Sequence, residues 1–219
     1  MDEAQFELVQ NVYRVRPLER FEWLEHGFGT RFFDPPEHIA TLRQIHSNIC
    51  FYADRSGCLG EGDALLSDSP GRLIGVKTAD CLPILLVDER HQAVAAVHAG
   101  WRGTVAEVSR STLKAMGERW GTRPDDVHAA IGPGIGRCCF EVGPEVAVRF
   151  GRPPVVTHLD LESVNRTQLE VAGIARERIY LAGLCTVCHA DLFHSFRRDR
   201  ELAGRMIATI GLKSSLSYV

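Results

Sequence analysis

Two short apolar runs, residues 82–87 and 93–97, flank the polar stretch Asp88-Glu89-Arg90-His91-Gln92. Unbroken apolar runs of that length, bounded by turn-forming residues, predict buried strands joined as a hairpin. The period changes at Thr104. Val105, Val108, Leu113, Met116 and Trp120 share one broad helical face, Thr104 and Glu107 have capping-box spacing, and Gly121 followed by Pro124 supplies a stop. A strand is predicted at 127–131, then a glycine-rich turn at 132–136. A second helix is expected near Pro144, and a third over 161–172, ending at Gly173. Strands are expected again at 179–181 and 206–210. The opening stretch, 6–33, predicts short strands broken by His26-Gly27-Phe28-Gly29, with a turn at Pro35-Pro36. Strands and helices without a regular βαβ alternation favour α+β, a mixed β core flanked by helices.

Composition narrows the picture. At 219 residues, with no repeat or Gly/Ser-rich linker, the chain is expected to be one domain, 1–219. A net charge of −3 supplies no cationic field for nucleic acid, so no nucleic-acid partner is expected. The longest apolar run, 81–87, is far short of a membrane span, and the acidic start Met1-Asp2-Glu3 leads into no signal-like core. The expectation is a cytoplasmic chain, monomeric or weakly self-associating, with no membrane partner. Seven cysteines without an export signal argue against a disulfide framework and leave metal ligation, reactive thiols or plain burial.

The chemistry concentrates between Asp63 and Gly103. Thr78-Ala79-Asp80-Cys81 precedes one strand of the hairpin, and His98-Ala99-Gly100-Trp101-Arg102-Gly103 closes the other. A hairpin brings Cys81 beside His98, and His46 is a third candidate. One thiolate and two imidazoles suit Zn²⁺ with a fourth position open. The alternative reading is two hydrogen-bonded structural histidines and a core cysteine. Arg102, just before the expected helix, could hold phosphate or carboxylate, or be a surface ion-paired arginine. Asp63 and Asp80 are candidate acid/base groups, or capping aspartates. Arg197 and Arg198 are further anion candidates, or a solvated charged loop.

The glycine-rich turn lacks dinucleotide-binding spacing and predicts a tight approach to the pocket. Of the adjacent Cys138 and Cys139, at most one is expected to point at a substrate. Cys185-Thr186-Val187-Cys188-His189 has the spacing of a c-type haem attachment, a match treated as accidental, with the thiols expected to pack.

The stretches GDALLSDSPGRLIGVKTADCLPILLVD, AVAAVHAGWRGT, AAIGPGIGRCCFEVGPEV, NRTQL and CTVCHADLFHSFRRD resemble the bacterial YfiH/DUF152 family. The resemblance runs from about Arg43 to the C-terminus, with His26 to Arg31 as an N-terminal echo. Members are described variously as polyphenol oxidases, laccases and purine nucleoside phosphorylases. It implies a compact sandwich related to a toxin deamidase domain and a metal triad of His46, Cys81 and His98. It also implies a Zn²⁺ enzyme that splits purine nucleosides (adenosine, inosine, methylthioadenosine) with phosphate, with an adenosine deaminase side activity. Zn²⁺ would act as Lewis acid or source of hydroxide, Asp63 or Asp80 would move protons, and Gln44, Arg102, Arg197 and Arg198 would contact substrate. The alternatives are a hydrolase editing cell-wall precursors and a non-catalytic zinc-stabilised interaction protein. Family members carry a longer segment where residues 32–41 run here, which bears on one rim of the pocket and hence on substrate choice. Laccase centres need paired His-x-His motifs, and this chain has nine histidines and no such pair. Cu²⁺ could still occupy the triad in vitro.

Overall fold

The computed structural model describes residues 5–214. In chain order the first strands are β1 Phe6–Val9, β2 Val12–Val15, β3 Leu24–Gly29, β4 Ile39–Arg43, β5 Cys50–Tyr52, β6 Gly57–Glu61 and β7 Ala64–Ser67. They continue with β8 Leu73–Thr78, β9 Leu82–Asp88 and β10 Ala93–Ala99. Helices α1 Trp101–Val105 and α2 Val108–Trp120 precede β11 Val127–Ile131, β12 Glu141–Val142 and α3 Pro144–Ala147. The chain ends with β13 Thr157–His158, α4 Leu161–Val171, β14 Ile179–Leu181, α5 Phe196–Asp199 and β15 Met206–Leu212.

A seven-stranded sheet, ordered β1-β2-β3-β15-β8-β4-β6, packs on a six-stranded sheet, β14-β11-β9-β10-β7-β5. Antiparallel pairs dominate, but β4 with β6 and β8, β5 with β7, and β11 with β14 are parallel. The architecture is α+β, as expected. The apolar runs divide by strand period. Leu85 and Val87 of β9 and Val94 and Ala96 of β10 pack in the sandwich against Ile74, Val76, Ala208 and Ile210. Leu82, Ile84, Leu86, Ala95 and Val97 face the other way, against Val108, Leu113, Met116 and Leu169 of the helices. Being covered on both faces is why these strands read as unbroken apolar runs rather than alternating ones.

Two expectations need correcting. His26-Gly27-Phe28-Gly29 does not break the opening strands but lies inside β3, paired with β15 from Leu24 to Phe28. A Cβ on Gly29 would come within 2.9 Å of the Ile207 carbonyl, so this glycine permits close strand packing rather than a turn. The helix expected at Thr104 starts earlier, at Trp101, and breaks at Glu107, whose left-handed φ of 54° ends α1 before α2 begins. No capping box forms: Thr104 is buried inside α1 and its hydroxyl accepts from Asn165 Nδ2 at 2.9 Å. Gly121, left-handed at φ 73°, stops α2 as expected, and Asp160 caps α4 through Ser163 N–H at 2.9 Å.

Candidate active site

The β9–β10 hairpin pairs His98 with Pro83 and Ala99 with Leu82, so Cys81 meets His98 at its open end. Residues 79–81 carry the chain from β8 in one sheet to β9 in the other. That sharp crossing places Asp80 at φ 87°, an uncommon conformation for a residue with a side chain. Asp80 is held there on three sides. Its Oδ1 accepts from the Thr186 hydroxyl at 2.7 Å, its Oδ2 from Arg197 N–H at 2.6 Å, and its carbonyl from Ile135 N–H at 2.7 Å.

His46 comes from the β4–β5 connection, itself left-handed at φ 61°. The loop wraps the fully buried Asp63. Asp63 Oδ1 accepts from His46 N–H at 3.0 Å, and Oδ2 accepts from Ser47 N–H at 2.6 Å and the Ser47 hydroxyl at 2.7 Å. Asp63 Oδ1 also pairs with His98 Nδ1 at 2.8 Å, which commits that nitrogen and leaves Nε2 for the site. One carboxylate therefore positions both histidines.

The ligating atoms of His46, Cys81 and His98 lie within 4.8 Å of one another, with His46 Nε2 3.9 Å from Cys81 Sγ. Gly100 closes the floor: a Cβ there would lie 2.8 Å from Cys81 Sγ and 2.9 Å from His46 Cδ2. Burial opposes ionisation of Cys81, but hydrogen bonds from His46 and His98 outweigh it and hold the thiol down at about 6. His98 is likewise penalised by burial, yet Asp63 and Cys81 carry it up to about 9. Burial would raise Asp63, but His98 and Ser47 hold it at about 2. A thiolate, an imidazole oriented by a carboxylate and a second imidazole form a donor set that fits a soft or borderline divalent ion, with the fourth position open.

Two depressions meet at Cys81. A cleft of about 590 Å³ is lined by Gln44, His46, Lys77, His98, Arg102 and Arg205, with Trp101 and Phe196 on its wall. A smaller apolar pocket of about 140 Å³ adjoins it, lined by Trp101, Ile135, Phe140, Leu161, Phe196 and Arg197. Arg102 makes no ion pair among the described residues; its guanidinium lies 4.3 Å over the Trp101 ring, at the cleft. The expected helix start beside it is replaced by the five-residue α1, so its anion role rests on the guanidinium alone. Asn165 and Gln168 of the Asn-Arg-Thr-Gln-Leu motif hold α1 in place, Gln168 Nε2 donating to the Thr104 carbonyl at 2.8 Å.

The remaining candidates sort by what their atoms already bind. Gln44 lines the cleft, but its amide is clipped to the Lys77 backbone, accepting its N–H at 2.8 Å and donating to its carbonyl at 2.7 Å. Arg197 lines the apolar pocket and donates to the carbonyls of Cys139 and Glu141. Arg198 differs from the expected substrate contact: it donates to the Thr186, Val187 and Phe193 carbonyls and both Asp199 oxygens. Those bonds use all five of its N–H groups. Both oxygens of Asp63 and of Asp80 are similarly engaged, which fits positioning better than proton transfer.

Sequence reading missed Lys77, Arg205, Trp101 and Phe196 as cleft residues. Trp101 sits inside the His-Ala-Gly-Trp-Arg-Gly motif and was within reach; Arg205 carries no signal. The glycine-rich turn does approach the pocket, since a Cβ on Gly134 would lie 3.0 Å from the Asp80 carbonyl. Neither Cys138 nor Cys139 lines the cleft or the apolar pocket, within the expected limit of one, but the two do not face different ways. Residues 137–139 form a turn, not a strand, so their side chains do not alternate, and both sulfurs lie 3.6 Å from Cys188 Sγ.

The family described as multi-copper polyphenol oxidoreductase laccase matches residues 27–213. The chain belongs to this family. A purine nucleoside phosphorylase of Deinococcus radiodurans is 41% identical over 189 residues, 80% of this chain and 71% of that protein. One from Bacteroides thetaiotaomicron is 41% identical over 68% of this chain and 60% of its own length. A prokaryotic protein named adenosine deaminase RL5 is 39% identical over 68% of this chain and 61% of its own. Among solved structures, YlmD from Geobacillus stearothermophilus superposes with a TM-score of 0.89 at 26% identity, covering 97% of this chain and 100% of that one. YfiH from Bacillus licheniformis gives 0.87 at 27%, covering 96% and 100%. The YfiH resemblance of the sequence is therefore a family relationship. Among the described residues two groups of three or more potential ligands cluster: His46, Cys81 and His98, and the four cysteines Cys138, Cys139, Cys185 and Cys188.

Proposed function

We propose that this chain is a nucleoside-processing enzyme that splits the N-glycosidic bond of purine nucleosides with phosphate, at a Zn²⁺ centre held by His46, Cys81 and His98. The observation that carries the reading is the convergence at Cys81 of an apolar, aromatic-walled pocket and a cleft bearing three cations. A purine is flat and apolar on its faces; ribose and phosphate are polar, and phosphate is anionic. The apolar pocket takes the base against Trp101, Phe140 and Phe196. The cleft takes the sugar and phosphate, with Arg102 as the bidentate clamp and Lys77 and Arg205 as point charges. Zn²⁺, when bound, supplies a Lewis acid beside the bond that breaks.

The chain's own residues do the rest. Asp63 holds His98 in one tautomer and shapes the His46 loop. Asp80, tied to Thr186 and Arg197, fixes the left-handed turn that aims Cys81. Arg102 holds the anionic nucleophile in line, a role that water would not require. The purine nucleoside phosphorylase names of the relatives support the same chemistry. Methylthioadenosine fits the class, and free cysteines at all seven positions suit a reducing compartment such as the cytoplasm.

The test is to incubate adenosine and inosine with enzyme, with and without phosphate, and identify products by mass spectrometry. Free base with ribose 1-phosphate, only when phosphate is present, is expected. Deamination, the reading favoured by the adenosine deaminase relative, would instead give inosine and ammonia without phosphate. No turnover of either nucleoside would overturn the proposal and move a cell-wall precursor hydrolase ahead of it.

A further inference from the structure

The second group of potential ligands is separate from the active site and has no part in the chemistry above. Cys138, Cys139, Cys185 and Cys188 place all four sulfurs within 4.8 Å of one another. Cys188 Sγ lies 3.6 Å from both Cys138 Sγ and Cys139 Sγ, and none of the four is in a disulfide. We infer that these four cysteines form a second metal site, a closed tetrahedral thiolate site of structural type for Zn²⁺.

The geometry argues for it in three ways. Four thiolates about 2.3 Å from a zinc ion stand about 3.8 Å apart along the tetrahedral edges, close to the spacing found here. Thiols packed only for burial have no reason to converge, and Cys138 and Cys188 are exposed. The segments also have the form of ligand-bearing loops. Cys185 and Cys188 have Cys-x-x-Cys spacing, and Gly136 N–H donates to Cys185 Sγ at 3.3 Å, the kind of bond that supports a ligating thiolate. Gly136 packs closely on the cluster: a Cβ there would lie 3.1 Å from Cys185 Cβ and 3.3 Å from Cys138 Sγ. An all-sulfur donor set excludes hard ions and selects zinc or iron; a closed site without an open position serves architecture rather than catalysis.

Its place in the fold gives it a purpose. The 134–140 segment and the 184–188 segment touch, among the described residues, through the bridge of Gly134 with Cys185 and a few hydrogen bonds. Between them they hold the pocket wall. Thr186 binds Asp80, while Arg197 binds the Cys139 carbonyl. A metal staple across the four sulfurs would lock that wall.

The experiment uses the full chain, purified under reducing conditions, and reads no activity, so it stands or falls apart from the phosphorylase reading. The first arm measures zinc in Cys81→Ser/His98→Ala, in which the active-site triad is dismantled. One zinc per chain is expected, and its loss when Cys185→Ser/Cys188→Ser is added. The second arm needs no variant: native protein is alkylated with iodoacetamide and mapped by mass spectrometry, with the exposed Cys58 as internal reference. Cys138 and Cys188 should react at least about tenfold more slowly than Cys58, and at a similar rate once a chelator is added, because a metal-bound thiolate is shielded. Absence of zinc from Cys81→Ser/His98→Ala would overturn the proposal. So would Cys138 and Cys188 reacting as fast as Cys58 before chelation, or recovery of the four cysteines as disulfides.

Discussion

Asp63→Asn is the change that reads the site's construction most sharply. It is nearly isosteric, yet it replaces an acceptor-only carboxylate with an amide that must present two N–H groups on one side. Oδ2 now accepts from Ser47 N–H and the Ser47 hydroxyl, and Oδ1 from His46 N–H and His98 Nδ1. Either orientation of the new amide points N–H groups at donors. At about 1.5–3 kcal/mol for each hydrogen bond to a charged group, losing two costs about 3–6 kcal/mol. That is a large part of the roughly 5–15 kcal/mol by which a domain is stable. The His98 side has a second consequence, because a metal-ligating histidine that loses its carboxylate loses about 10–100-fold in metal affinity or activity. Urea unfolding of the two proteins, with zinc affinity measured by competition against a chromophoric chelator, reads both effects. A variant within about 0.5 kcal/mol of the parent, with unchanged zinc affinity, would refute the claim that this carboxylate holds both histidines.

Gly100→Ala should strip the triad of metal while the fold persists, since its Cβ meets Cys81 Sγ at 2.8 Å; near-parental zinc content with an unchanged circular dichroism spectrum would contradict this. Arg102→Lys keeps the charge but not the fork, so the KM for phosphate should rise about 10- to 100-fold, with zinc content unchanged; an unaltered KM would remove Arg102 from the anion site. His26, held down to about 4 by burial and then by Arg14, makes stability depend on pH. In the unfolded chain it protonates near 6.5, so its contribution is complete above that pH. It is lost as pH falls from about 6.5 to 4, by up to about 3 kcal/mol. Urea midpoints measured from pH 7.5 to 4.5 should fall less steeply in His26→Gln than in the parent; parallel curves would defeat the assignment.

The parts of the fold legible in sequence were those with an uninterrupted period. The β9–β10 hairpin, β11, α4 and β14 stand within a residue or two of their expected places because both faces of these strands, or one face of the helix, are apolar. β3 was misread because glycines inside a strand look like punctuation, and only the close approach of β15 explains them. The break at Glu107 has no local signal, and the bonds that hold α1 at Thr104 come from Asn165 and Gln168, some sixty residues away in sequence. At the site, the hairpin predicts the Cys81–His98 encounter. The commitment of Asp63 to both histidines and the saturation of Arg198 depend on long-range contacts. Convergence of Cys138 and Cys139 on Cys188, 50 and 49 residues further along the chain, was equally invisible, since nothing in either segment names the other as its partner.

The central claim is that phosphorolysis occurs at the His46/Cys81/His98 centre. Its most direct test is the rate of ribose 1-phosphate formation from inosine and phosphate, measured on chelator-stripped enzyme as Zn²⁺ is returned. The account predicts no product from the stripped protein, recovery on adding Zn²⁺, and no recovery in His98→Ala or Cys81→Ser. Full activity in stripped protein, or Zn²⁺-independent product from either variant, would contradict it.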